Sequence, residues 1–97
     1  NPGFAMLELK VVKGGREVRL SPHQVAFSLK HASLGCPVFI LVQAFARAES
    51  TAKESRILLF SGSQAGLLAQ NGLETPALAE FPTFETDWGA ITALIRA

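Results

Sequence analysis

The chain is poor in the residues that staple small folds together. It has one cysteine, Cys36, which excludes an intrachain disulfide and a cysteine-based zinc cluster. Set between Gly35 and Pro37 ahead of an apolar run, Cys36 reads as a small core residue. Its two histidines, His23 and His31, share one predicted helix without the spacing of a metal pair. Aspartate is scarcer still, with Asp87 alone. No apolar run approaches the roughly 18 residues a membrane-spanning helix needs, and no secretory leader opens the chain. These absences, with the lone thiol, predict a cytoplasmic protein that does not engage membrane. Internal repeats and low-complexity tracts are also missing. A strong excess of one charge is lacking too: the net charge of +1 is below that of most DNA-binding domains.

What remains is apolar and short. At 97 residues, 48% hydrophobic and 18% charged, residues 1–97 form one globular domain with a modest core. The apolar excess predicts a further buried surface, such as a homodimer interface or the seat of a missing segment. The basic residues are unevenly spread. Lys10, Lys13, Arg16 and Arg19 fall in the first twenty positions, opposed only by Glu8 and Glu17, so a local basic patch is expected there.

Phe4 to Val12 alternates as a strand, with Ala5, Leu7, Leu9 and Val11 on one face and Phe4, Met6, Glu8, Lys10 and Val12 on the other. Lys13-Gly14-Gly15 predicts a hairpin turn, and Arg16 to Leu20 a return strand. Ser21-Pro22-His23-Gln24 then opens a helix: serine at the N-cap, proline in the first turn, glutamine three residues after the cap. Val25, Leu29 and Ala32 form its apolar stripe, and Gly35 and Pro37 end it. Pro37 to Phe45 is nearly all apolar and predicts a central strand buried on both faces. Residues 46–55 read as a loop, Arg56 to Ser61 as a strand, and 62–72 as a short helix closed by Asn71-Gly72. Residues 73–86, broken by Pro76 and Pro82, read as extended surface chain. Asp87 to Ala97 reads as a last helix with Trp88, Ile91, Leu94 and Ile95 on its buried face. The fold class is α/β, with a central mixed sheet flanked by helices.

Glu8 and Lys10 are the chemically informative pair. Two apart on a strand, they leave the same face, and burying either alone is costly. At a cleft, a carboxylate can hold a divalent cation while the intervening Leu9 carbonyl adds an oxygen ligand. A neighbouring ammonium can orient water or stabilise charge developing on a phosphate. The plainer alternative is an ion pair on an edge strand, since Glu-x-Lys recurs by chance in many chains.

The wider order, a Glu-x-Lys strand, a short excursion, "LSPHQ" opening a helix and "GCPVFILV" as the next strand, resembles the PD-(D/E)XK nuclease superfamily. Within it the chain is most similar to small phage-type, VRR-NUC-like or Holliday-junction-resolvase-like members. Residues 4–45 carry the resemblance; "RILLFSG" and "DWGAI" fit it loosely. The resemblance implies a restriction-endonuclease-like core and a Mg²⁺- or Mn²⁺-dependent endonuclease acting on DNA, branched DNA included. Such a nuclease belongs in a bacterial cytoplasm or a phage-infected host, often as a homodimer. It assigns Glu8 to the metal, Lys10 to the attacking water and Gln24 to the side of the site. Gln24 also completes the helix cap, which by itself explains its type.

Lys13, Arg16 and Arg19 are the candidates to grip a DNA backbone, with His23 in the first helical turn and Lys30 further along the helix. An ordinary solvated hairpin and helix is the alternative for each. The family pattern also has an Asp on a strand preceding Glu-x-Lys, and here "NPGFAML" holds no carboxylate. The expectation is therefore a domain lacking its N-terminal part, or a relative that binds DNA or dimerises without cutting.

Overall fold

A computed structural model describes residues 5–47 and 49–96. Phe4, in the first predicted strand, Ala48, in the predicted loop, and Ala97, in the last predicted helix, lie outside them. The elements run β1 (Met6–Lys13), α1 (Pro22–Ser33), β2 (Val38–Phe45), β3 (Ser55–Ser61), α2 (Ala65–Asn71), β4 (Ala79–Pro82) and α3 (Trp88–Arg96), with short 3-10 turns between several of them.

The four strands form one mixed sheet in the order β1-β2-β3-β4. β1 and β2 are parallel, with Glu8 beside Ile40 and Lys10 beside Val42. β3 runs antiparallel to β2, and β4 antiparallel to β3. The apolar run at 38–45 is thus central, and Ile40 and Val42 are fully buried. Parallel pairing of β1 and β2 requires a long crossover, which residues 14–37 supply through α1.

The predicted return strand at Arg16–Leu20 does not form. Gly14 and Gly15 do adopt positive φ, 92° and 70°, but they turn the chain over the sheet face rather than back along β1. Two interactions outcompete a hairpin. Val18 enters the core at 2% exposure beside Leu68, and the Arg16 carbonyl accepts a hydrogen bond from the Leu73 N–H at 2.7 Å. Gly72 permits that approach: its φ is 59°, and a Cβ there runs into the Arg16 carbonyl.

One sheet face carries Val12, Ile40, Val42, Ala44, Leu58 and Phe60, and is covered by Val18 and by Ala65 and Leu68 of α2, with Val25 of α1 at the margin. The stripe of α1 is rotated from the expected one: Ser28 is buried, while Leu29 is exposed and lies 3.9 Å from the position of a Cβ on Gly66 of α2. The opposite face carries Leu41, Ile57 and Leu59 under Ile91 of α3, with Phe39, Ala79, Phe81 and Ile95 packed around them.

Residues 73–86 are more ordered than expected. Ala79–Pro82 pairs with β3, since Ala79 and Phe81 have an apolar face to fill, and Pro82 is tolerated at the sheet edge. Trp88 is 54% exposed and is not core. Asp87 caps α3, its Oδ1 accepting from the Ala90 N–H at 3.0 Å, and that start places Ile91 rather than Trp88 over the sheet.

Candidate functional site

The site begins with the cap of α1. Ser21 Oγ accepts from the Gln24 N–H at 3.1 Å, and Gln24 Oε1 accepts from the Ser21 N–H at 3.0 Å. The reciprocal pair fixes which end of the amide faces the backbone. With Oε1 so committed, Nε2 is free to donate, and it reaches Glu8 Oε1 at 3.0 Å. Lys10 Nζ donates to Gln24 Oε1 at 3.1 Å and stands 3.7 Å from Glu8 Oε1. One glutamine therefore serves as cap and as bridge, joining Glu8 and Lys10 of β1 to the start of the helix that follows.

The sheet supplies the rest of the geometry. Glu8 and Lys10 point to the α1 face, flanking Ile40 and Val42. The Glu8 side chain is 45% exposed and that of Lys10 21%, so the pair sits at the margin of the core with the carboxylate toward water. Met6 N–H donates to the Pro37 carbonyl and Gly14 N–H to the Phe45 carbonyl. Backbone polar groups alternate sides along a strand, so the even-numbered residues of β1 turn theirs to β2. Leu9 turns its carbonyl to the open edge, outside the sheet ladder.

A cleft of about 670 Å³ opens next to this cluster, lined by Lys10–Glu17 and Arg19. It brings together Lys10, Lys13, Arg16 and Arg19; Glu8 and Gln24 do not line it, and Lys10 is the shared residue. Arg16 is tied to Glu74, and Arg19 to Glu17 at 3.3 Å. Lys13 forms no ion pair among the described residues. His23 lies exposed in the first turn of α1, and Lys30 in its last turn; neither lines the cleft. His31 stacks against Phe27, ring centroids 4.2 Å apart.

One participant escaped sequence reasoning. Glu17 and Glu74 each hold a cleft arginine; Glu17 is two residues from Arg19, whereas Glu74 is distant in sequence from Arg16, with no local pattern to flag it. Among the described residues no three His, Cys, Asp or Glu side chains gather as a metal-binding group. The carboxylate at the cluster is Glu8. Mg²⁺ is commonly held by one or two carboxylates and otherwise by water and substrate phosphates, so Glu8 with the Leu9 carbonyl meets the lower end of that requirement. Chemically the arrangement offers a half-exposed carboxylate, an adjacent ammonium and a basic cleft alongside. No family model matches the chain, nor does any curated protein or solved structure.

Proposed function

We propose that the chain is a metal-dependent DNA endonuclease domain of PD-(D/E)XK type, with a restriction-endonuclease-like core. The observation that carries this reading is the bridge from Gln24 to both Glu8 and Lys10. A helix N-terminus linking two parallel strands is placed against a Glu-x-Lys pair, which unites all three residues the resemblance singles out. Glu8 and the Leu9 carbonyl would hold Mg²⁺ or Mn²⁺, and the ion would activate water and neutralise charge on the scissile phosphate. Gln24 holds the Glu8 carboxylate in place. Lys10 is positioned to orient a water or to stabilise a developing phosphate charge. Lys13, with Arg16 and Arg19, lines the cleft through which a DNA backbone would pass, and branched DNA is among the substrates to test.

The experiment is incubation of the chain with linear and branched DNA in Mg²⁺ and in Mn²⁺, beside Glu8→Gln and Lys10→Ala. The expected outcome is cleavage by the parent and a loss of about 100-fold or more in each variant, the scale on which positioned acid-base and electrostatic groups act. Absence of both cleavage and metal binding in the parent removes the nuclease reading. A second reading, DNA binding without cleavage on the same fold, is favoured by the single carboxylate at the cluster beside a basic cleft. It predicts metal-independent binding that weakens with salt.

A further inference from the structure

The outer edge of β1 is built to pair. Leu7, Leu9 and Val11 are 47%, 66% and 58% exposed, on the sheet face where α3 packs over β2, β3 and β4. Their N–H and C=O groups point away from β2, and among the described residues no hydrogen bond reaches them. Natural edge strands are shielded by proline, bulges, short length, charged side chains on the edge or pointing inward, or a covering helix or loop. β1 is eight residues long without proline, and its inward charges come as an opposite pair rather than as one repelling sign.

We infer that β1 is the interface between two copies of this chain, pairing antiparallel with its own equivalent across a twofold axis at Leu9. Strand geometry selects this register. The outward-facing residues are odd-numbered, so hydrogen-bonded pairs must join odd residues to odd residues. Centring on Leu9 places Leu9 opposite its own copy and Leu7 opposite the partner's Val11. It also sets Glu8 opposite the partner's Lys10 in a non-hydrogen-bonded pair, the closer of the two pair types. Centring on Glu8 or Lys10 instead sets like charges face to face, which is destabilising. Centring on Leu7 or Val11 leaves both charges without opposite partners and shortens the overlap. The Leu9 register alone satisfies the free backbone groups, matches both charges and sets the three exposed apolar side chains against apolar side chains of the other copy. The two sheets then join into one continuous sheet. The inference holds for a β1 edge that the Asp-bearing strand of the family pattern does not occupy, and so goes with the reading of a relative that dimerises; a carbonyl oxygen has two lone pairs, so ladder pairing at Leu9 does not remove that oxygen as a ligand.

The test is the mass of this 97-residue chain by light scattering, without DNA or added metal, with register probed by disulfide trapping. The expected mass is twice the 10.4 kDa of one chain. In a Cys36→Ser background, Leu9→Cys is expected to give a covalent dimer on oxidation, opposed residues lying about 5.5 Å apart in Cα, within disulfide reach. Leu7→Cys and Val11→Cys should each fail alone and cross-link when mixed. Glu8→Lys and Lys10→Glu should each be monomeric, and an equimolar mixture should recover the dimer as a heterodimer. A monomeric parent at every concentration overturns the proposal, and slow amide exchange at Leu9 in that monomer would show another segment of the same chain on the edge. A dimeric parent whose Leu9→Cys form does not cross-link overturns it equally.

Discussion

Gln24 is where local and long-range demands meet in one side chain. Its type is dictated by the cap, since glutamine three residues after a serine cap satisfies the Ser21 N–H. Its position on the strand–helix–strand unit then presents the other end of the amide to Glu8. The two roles separate by mutation. Ser21→Ala removes the cap acceptor while sparing the Glu8 contact, and is expected to cost about 1 kcal/mol in denaturant unfolding. Gln24→Ala removes the reciprocal cap bond and both strand contacts, and is expected to cost more, about 2 kcal/mol. If the two losses are equal, Gln24 does no more than cap.

At the scale of elements, α3 shows how a cap decides which apolar residue is core. The sequence presents Trp88 and Ile91 as equal members of one stripe. Asp87 starts the helix so that Ile91 is 4% exposed over Leu41, Ile57 and Leu59, leaving Trp88 largely in water. Ile91→Ala is therefore expected to destabilise by about 2–5 kcal/mol. Trp88→Ala should stay within about 1 kcal/mol despite removing the larger side chain. Thermal or urea melts of the two variants check the order, and a reversed order would mean that Trp88 is covered in solution. The same competition explains the missing return strand. Arg16–Leu20 alternates as a strand does, yet Val18 gains full burial only by crossing the sheet face, and the Arg16 carbonyl finds its donor on Leu73 rather than on β1.

For the whole molecule, the net charge of +1 understates what the fold does with its cations. Lys10, Lys13, Arg16 and Arg19 are gathered at one cleft, while Glu17 and Glu74 hold the two arginines there. Lys13 is the cleft cation with no ion-pair partner among the described residues, so it is the one expected to contact phosphate at least cost. Lys13→Ala should weaken DNA binding across sequences and lower the slope of log affinity against log salt by about 1. Lys30→Ala, a helix length away, should leave the slope unchanged. Equal effects of the two would assign binding to general charge rather than to the cleft.

Much of the architecture was legible because its determinants are local. The start of α1 lies in Ser21-Pro22-His23-Gln24, β2 in an apolar run too continuous to be a surface strand, and the alternation of β1 places Glu8 and Lys10 on one face. Those patterns depend on neighbours a few residues away. The rest depended on contacts far apart in the chain. That β1 pairs with β2 and leaves its other edge open, that residues 79–82 join the sheet, that Arg16 meets Glu74, and that Gln24 reaches both Glu8 and Lys10 are outcomes of which surfaces find each other. Periodicity specifies which face of an element is apolar. Only packing decides what covers that face, because segments compete for the same buried area and backbone partners.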